Sequence, residues 1–417
     1  MSAETTLAAQ LAEDAAERFL RYVRFDTQSD EESDTYPSTD GQLVLLRHLR
    51  DELQQAGLAD AAIDEHGYVT ATLPATVEGE VPTIALFAHV DTAREVSGAN
   101  VSPRRLRYDG GEIRLGESGQ AIRPEQSPEL ANHVGHDLIT TDGTTLLGAD
   151  DKAGVAEIMA AVAYLASQPE IPHGPVKVAF NPDEEIGRGV VHFPVDGFGA
   201  ALAYTVDGST AGEMQAETFS GAQVRMRIHG RSIHPGWAKG ELVNAIKLAG
   251  EILARLPNDA RSPETTEGRE GYVHPVFVEG DSSEVELRFI ARDFENDRLA
   301  EHVAFLRGLA EEVAAAEPRC SIEVEDRIQY LNTRDGLEAH PEIVANLEKA
   351  IRRVGLEPKQ TAIRGGTDGS ALTEMGLPTA NIFTGGHDAH SEREWICVED
   401  MGLAAATLVE LAKVWAE

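Results

Sequence analysis

Four short apolar runs recur along the chain, and each is followed by polar residues that can bind a metal or transfer a proton. The runs occupy residues 83–88, 176–180, 201–206 and 379–383. Short, continuous apolar runs are typical of strands that are buried on both faces of a parallel sheet. The residues that follow the runs include His89 and Asp91, Glu184 and Glu185, Asp207, and His387 and His390. Because open α/β sheets place their sites beyond the carboxyl ends of the strands, we expect these side chains to converge if the four strands share one sheet.

The remaining hydrophobic periodicity separates a larger domain from a smaller one. Helical spacing at 7–24 and 41–56, and again at 341–354 and 400–415, frames the four apolar runs. The middle of the chain has a different order of elements. It predicts a strand at 223–229, a helix at 243–256, strands at 272–279 and 283–292, a helix at 296–316 and a strand at 321–328. This order matches a ferredoxin-like unit. We therefore predict an α/β domain with an open, mostly parallel sheet, formed by 1–213 and 326–417, and an inserted ferredoxin-like α+β lid domain at 214–325.

Composition narrows the class of protein and of partner. A length of 417 residues is typical of two domains. The net charge of −35 argues against nucleic acid and anionic membranes as partners and is compatible with small-molecule substrates. Cys320 and Cys397 form no CxxC motif, which indicates a reducing compartment and excludes a thiolate metal cluster. No signal-peptide core is present, and no apolar run approaches the ~20 residues that span a membrane, so we expect a cytoplasmic protein.

The segment 146–154 is the centre of the candidate chemistry. There a Leu-Leu-Gly-Ala run leads into Asp150, Asp151 and Lys152 at the start of a predicted helix. Adjacent carboxylates at this position either cap the helix or hold a cation. Asp150 is an aspartate that could bridge two ions. The sequence of this segment alone leaves both interpretations open.

The other polar residues have similar alternatives when each is taken alone. His89 and Asp91 point to the same side of an extended segment, so Asp91 is placed to orient a metal-binding imidazole, although a polar strand end has the same pattern. Glu184 and Glu185 are either a solvated acidic turn or a metal ligand beside a general base. Taken together, the residues form one mixed nitrogen and oxygen donor set suited to zinc, cobalt or manganese, namely His89, Asp150, Glu185, Asp207 and His390.

Over nearly its whole length the sequence resembles the tripeptide aminopeptidase branch of the M20 dinuclear metallopeptidases. HxD alone is a weak signal, whereas the ordered set of motifs is specific. The stretches that carry the resemblance are 25–29, 88–92, 145–154, 181–187, 204–208, 234–236, 265–272, 290–294 and 364–369.

The resemblance implies two divalent ions per chain, zinc with cobalt or manganese as alternatives. His89 and Asp207 would hold one ion, Glu185 and His390 the other, and Asp150 would bridge them beside a cis peptide bond to Asp151. Glu184 would be the general base and Asp91 the partner of His89. The catalytic His234 would come from the inserted domain. Substrate contacts would come from Arg292, which would hold the peptide carboxylate, and from Arg364, Thr367 and Asp368.

The resemblance therefore implies a dinuclear-metal aminopeptidase that releases the N-terminal residue from tripeptides, with a homodimer possible. An M20-type dipeptidase, carboxypeptidase or amide deacylase is the alternative on the same metal site. A non-enzymatic binding protein on a hydrolase scaffold is the alternative of another class, but no proposed ligand or base is missing from the sequence. His387 stands where this family suggests an aromatic residue, so it could compete as a ligand.

Overall fold

The computed structural model describes residues 3–417, with side chains from Leu7 onward. Its ten α-helices are α1 Ala3–Tyr22, α2 Asp40–Gln55, α3 Ala149–Ser167, α4 Val195–Phe198, α5 Ala245–Ala254, α6 Asn296–Ala316, α7 Arg334–Leu337, α8 Pro341–Arg353, α9 Asp368–Glu374 and α10 Val398–Val414. Short 3-10 helices lie at Pro128–His133, Glu184–Ile186, Pro235–Trp237 and Pro263–Thr265. None of the helices in this described part is long and apolar enough to cross a membrane.

The strands form one large sheet and three smaller ones. They are β1 Ala62–Ile63, β2 Val69–Leu73, β3 Ile84–His89, β4 Arg104–Arg107, β5 Ile113–Arg114, β6 Ala121–Ile122, β7 Asp137–Thr140, β8 Val176–Asn181, β9 Leu202–Gly208, β10 Glu213–Thr218, β11 Ser220–His229, β12 Tyr272–Gly280, β13 Glu284–Asp293, β14 Ser321–Tyr330, β15 Lys359–Ile363, β16 Thr379–Phe383, β17 Gly386–His387 and β18 Trp395–Cys397. The chain divides into two compact units. The first comprises residues up to Ala216, Asp335–Thr361 and Thr367–Glu417, and the second comprises Glu217–Arg334 and Ala362–Gly366.

The four apolar runs of the sequence are the central strands of the large sheet. Its order is β1-β2-β8-β3-β9-β16-β10-β15. The four adjacent strands β8, β3, β9 and β16 are parallel, and antiparallel strands flank them. The prediction that these runs share one sheet is therefore confirmed, and their polar carboxyl ends lie along one edge.

Apolar side chains cover both faces of this sheet, which explains why the four runs are mostly apolar. Along β3, Leu86 belongs to the core formed with α1, α3, α8 and α10, whereas Phe87 packs in a second core with Phe193 and Phe198. Helix α3 is rich in alanine and almost wholly buried, so it lies close against β3 and β9. This packing fixes the strand ends that carry the polar residues.

The second unit has the predicted ferredoxin-like topology. Its sheet has the order β12-β13-β11-β14, and its paired strands are antiparallel. Helices α5 and α6 pack on this sheet and enclose a core of its own. The unit extends beyond the predicted 214–325, because β14 continues to Tyr330 and the Phe219 N–H donates to the Ile363 carbonyl at 2.9 Å.

Candidate metal centre

Two groups of potential metal ligands share Asp150. One group is His89, Asp150 and Asp207, and the other is Asp150, Glu185 and His390; within each, the ligand atoms lie within 4.8 Å of one another. The two Asp150 oxygens are divided between the groups, because Oδ1 lies 3.1 Å from His89 Nε2 and Oδ2 lies 3.2 Å from His390 Nε2. Glu185 Oε2 is also 3.1 Å from His390 Nε2. This is the arrangement that a carboxylate bridging two cations requires.

Asp91 holds one side of the centre through backbone and imidazole contacts. The Glu184 N–H donates to Asp91 Oδ1 at 3.0 Å, and the Glu185 N–H donates to Oδ2 at 3.2 Å. His89 Nδ1 lies 3.3 Å from Oδ1 of the same carboxylate. Asp91 is fully buried, and these donors compensate its charge together with the buried Lys152. It therefore fixes both the His89 ring and the turn that presents the two glutamates.

The turn before α3 presents Asp150. Gly148 has φ +84°, a left-handed conformation that favours glycine, and the Asp150–Asp151 peptide bond is cis, as expected. Glu394, which the sequence analysis did not identify, is 1% exposed and accepts backbone N–H groups of Leu147 and Gly148, both at 2.7 Å. It also accepts the Asp150 N–H at 3.1 Å. Glu394 is thus the carboxylate that shapes the turn behind the shared aspartate.

The electrostatics of the cluster fit bound cations. Burial, together with the Asp150 carboxylate, raises the pKa of Glu185 to about 7 and also raises the pKa of Asp207. Hydrogen bonds to Asp150 and Glu185 raise the pKa of His390 to about 11. Glu185 Oε1 is buried and has no hydrogen-bond partner among the described residues. Three carboxylates so close together need positive charge, and the nitrogen and oxygen donor set suits divalent zinc, cobalt or manganese.

Glu184 lies beside this donor set without belonging to either group of ligands. It begins the 3-10 helix Glu184–Ile186, directly before the candidate ligand Glu185. Burial raises the pKa of Glu184, and the neighbouring Asp368 and Asp207 carboxylates raise it further against the opposing effect of His89. The structure therefore separates the adjacent glutamates, with one facing His390 and the other next to the cluster.

The family model described as peptidase family M20/M25/M40 matches residues 139–414. The chain belongs to this family. Within it, the chain falls in the peptidase T group. It is 48% identical to the peptidase T of Shouchella clausii over 98% of this chain and 99% of that protein. It is 49% identical to the peptidase T of Bacillus subtilis over 97% of this chain and 98% of that protein. As a member of a peptidase family, the chain is a hydrolase that acts on peptide bonds.

Solved structures of M20 peptidases share the fold over the whole chain. The aminopeptidase PepT from Bacillus cereus superposes with a TM-score of 0.75 at 24% identity, covering 97% of this chain and 99% of that one. A tripeptidase from Staphylococcus aureus superposes with a TM-score of 0.76 at 24% identity, covering 97% and 98%. The predicted fold class, a mixed α/β domain with an inserted second domain, is confirmed.

Two of the predicted substrate contacts of this M20 member lie in its first unit, at the start of α9. Thr367 forms a capping box with Ser370 and is the residue before the helix. Asp368 is buried, and its Oδ2 accepts a hydrogen bond from Asn181 Nδ2 at 2.5 Å. Burial raises the pKa of Asp368 to about 7. Asp368 is therefore committed to the end of β8, whereas Thr367 organises the entry to the helix.

The other three predicted residues lie in the second unit, where the structure describes their local contacts. His234 precedes the 3-10 helix Pro235–Trp237, and its Nδ1 accepts the Gly236 N–H at 3.1 Å. Arg292 ends near Tyr330, with its guanidinium 5.2 Å from the ring centroid, and Nη1 donates to the Ala291 carbonyl at 2.9 Å.

Arg364 forms hydrogen bonds with the 266–270 loop, which lies in one of the stretches that carry the family resemblance. Its Nη1 donates to the carbonyls of Gly268 at 2.7 Å and Glu270 at 3.0 Å, and its Nη2 contacts Thr266 Oγ1 at 3.0 Å. The guanidinium also lies 5.1 Å from the centroid of the Phe219 ring. These contacts hold the 266–270 loop in place.

His387 has neighbours other than the two ligand groups. Its ring is stacked on Trp395 with centroids 4.3 Å apart, and it groups with His133 and Asp400 as a second set of potential ligands. Burial and the nearby His133 lower the pKa of His387 to about 4. His387 is thus not one of the residues that surround Asp150.

Proposed function

We propose that the chain is a two-metal aminopeptidase that releases the N-terminal residue from tripeptides. The observation that supports this most strongly is the pair of ligand groups sharing Asp150, with Glu184 beside them. When bound there, two divalent ions act as Lewis acids toward an amide carbonyl and acidify a water molecule. We assign zinc to the site, with cobalt or manganese able to replace it, because imidazole and carboxylate donors suit all three.

In this proposal Glu184 is the general base. It takes the proton of the attacking water and then delivers a proton to the leaving amine as the peptide C–N bond breaks. Asp91 holds the His89 ring and the backbone of Glu184 in fixed positions during both proton transfers. Glu394 performs the same positioning role for the turn that carries Asp150.

Residues of the second unit would act on the substrate. We propose that His234 donates a hydrogen bond to the developing oxyanion and that Arg292 binds the terminal carboxylate of the peptide. An oxyanion donor must lie ~2.7–3.1 Å from where the charge develops, so His234→Ala should lower kcat while leaving metal content unchanged. Arg364 would fix the 266–270 loop, and Thr367 and Asp368 would shape the pocket near the start of α9.

The two adjacent glutamates provide the direct test of the chemistry. Glu184→Gln should retain both metals and lose ~10²–10⁴-fold in kcat, because the amide keeps the size of the side chain but cannot accept the proton. Glu185→Ala should lose occupancy of one metal site. Exposed Glu65→Gln is the matched control for loss of one negative charge and should behave as wild type. Equal metal content and equal activity in the Glu184 and Glu185 variants would show that the role assignment is wrong.

Substrate length is tested with blocked and unblocked peptides. The name of the Staphylococcus aureus relative, a tripeptidase, supports a tripeptide preference. A charged group left unpaired in a binding site typically forfeits ~2–5 kcal/mol, so C-amidated tripeptides should be poor substrates and Arg292→Ala should remove that penalty. Arg288→Ala, on the same strand, is the control. If N-acetylated tripeptides are cleaved as fast as free ones, a deacylase or carboxypeptidase function replaces the proposal.

A further inference from the structure

A second cluster of potential metal ligands lies in the first unit and shares no residue with the Asp150 centre. It contains two overlapping groups, His133, His387 and Asp400, and His133, His136 and Cys397; the ligand atoms of each lie within 4.8 Å of one another. His133, His387 and Asp400 are at most 7% exposed. These three residues come from the 3-10 helix Pro128–His133, from β17 and from the first turn of α10.

Hydrogen bonds prepare His133 to bind a metal through Nε2. Its Nδ1 lies 2.7 Å from the Glu129 carbonyl oxygen, which can only accept, so the proton is assigned to Nδ1. The other nitrogen, Nε2, faces Asp400 Oδ2 at 2.8 Å. A backbone carbonyl that accepts one imidazole N–H is the usual way in which the tautomer of a metal-binding histidine is fixed.

His387 shows the same preparation and has an unpaired nitrogen. Its Nδ1 lies 3.3 Å from Ser209 Oγ, and the Ser209 hydroxyl already donates to the Gly386 carbonyl at 2.6 Å. Ser209 can therefore only accept from His387, which places the proton on Nδ1. The Nε2 of His387 is buried and has no hydrogen-bond partner in the described part of the chain. A buried acceptor without a partner is costly, and a cation placed between it and Asp400 would satisfy it.

We propose that His133, His387 and Asp400 bind one zinc ion that is separate from the two ions of the Asp150 centre. Two imidazoles and a carboxylate are ordinary zinc ligands, and a fourth donor is available from water or from the overlapping group. The ion would join the 3-10 helix, the start of α10 and the loop that leads from His387 to His390. The role of this ion is structural, and the proposal does not depend on which peptide the enzyme cleaves.

Metal retention in matched variants tests this site. Wild-type protein, stripped with a chelator until activity is lost, should retain one more equivalent of zinc than His387→Phe, in which the ring still stacks on Trp395. The control is His173→Phe, because His173 is also buried with an unpartnered Nε2 but belongs to none of the ligand groups found in the described residues. The control should retain the same zinc as wild type.

Asp400→Asn is the second variant, and it should also lose the extra equivalent. This test compares the zinc content of wild type with that of the variants, and all of these proteins have the same Asp150 centre. Failure of the proposed peptidase centre would therefore not alter the difference in zinc content. Prolonged chelation that removes this retained zinc should lower the melting temperature of wild type and of His173→Phe, but not of His387→Phe or Asp400→Asn, which no longer hold it. Equal zinc content and equal melting response in all four proteins would overturn the site and leave His133 and Asp400 as a buried ion pair.

Discussion

Replacement of Asp91 by asparagine should weaken metal binding while preserving the fold. The asparagine retains one oxygen, and its amide nitrogen must face a donor. If the oxygen occupies the Oδ1 position, the contacts with His89 and the Glu184 N–H survive, but the amide N–H faces the Glu185 N–H, which Oδ2 accepts at 3.2 Å in the wild type. The opposite orientation loses two contacts. The first orientation is therefore expected, with one charge-assisted hydrogen bond lost.

The magnitude follows from two independent estimates. A hydrogen bond to a charged group contributes ~1.5–3 kcal/mol. Loss of the partner that orients a metal-binding histidine typically lowers metal affinity or activity ~10–100-fold. That factor corresponds to about 1.4–2.7 kcal/mol at 1.36 kcal/mol per tenfold, so the two estimates agree. We expect zinc affinity at the His89 group to fall by this factor and kcat/KM to fall with it.

Calorimetric titration of zinc into stripped protein, with kcat/KM measured at saturating zinc, checks this prediction. Asp91→Ala should be worse and should also lower the melting temperature, because two buried N–H groups lose their acceptor at ~1–3 kcal/mol each. Asp34 is exposed, and Asp34→Asn removes one negative charge elsewhere on the protein. This variant is the control for the effect of net charge on zinc affinity. Wild-type zinc affinity in Asp91→Asn would refute the positioning role of the carboxylate.

Three further variants test the electrostatics, the turn and the core. Although burial opposes the effect, hydrogen bonds from Arg225 and Arg288 lower the pKa of Glu286 to about 2. The stability that Glu286 contributes is therefore present above its ordinary pKa of 4.5 and is lost as the pH falls toward 2. Glu286→Gln should cost about 1–2 kcal/mol at pH 7 after allowance for solvent screening, and the difference should vanish near pH 2 in urea unfolding. Glu394→Gln should place an amide N–H against one of three backbone N–H groups, costing ~1–3 kcal/mol in melting experiments and lowering zinc affinity. Phe87→Ala should cost ~3–5 kcal/mol by urea unfolding with little change in metal content.

The elements of the large sheet were predictable because their signal is local. Each central strand is a mostly apolar run, since the core that includes α3 and α10 covers one face and Phe193 and Phe198 cover the other. The signal is also local in the second unit. There, buried and half-buried residues alternate along β11, so one face of the strand is assigned to the core. Strand pairing in parallel order then brings His89, Glu185, Asp207 and the α3 entrance together.

Two features could not be predicted because their partners are distant in sequence. The sheet β17-β18-β7-β4 contains strands of two to four residues, and the sequence of β4, Arg-Arg-Leu-Arg, is mostly exposed and shows no apolar run. The role of Glu394 depends on backbone N–H groups about 245 residues earlier, and no side-chain pattern reports such a contact. Charged residues that bind backbone groups therefore remain hidden until the turn they bind is seen.

Backbone geometry argues against the helix-cap interpretation of Asp150. A capping aspartate directs its oxygen to the N–H groups of the first helical turn. Here Asp150 has φ −83° and ψ 104°, and Asp151 has φ −121° and ψ 30°, so neither has helical dihedrals. The Asp150 oxygens contact His89 and His390, while Asp151 Oδ2 accepts the His89 N–H at 3.2 Å. Both carboxylates thus serve the strand ends rather than the helix, and a half-buried aspartate between two imidazoles is an environment that suits a bridging cation.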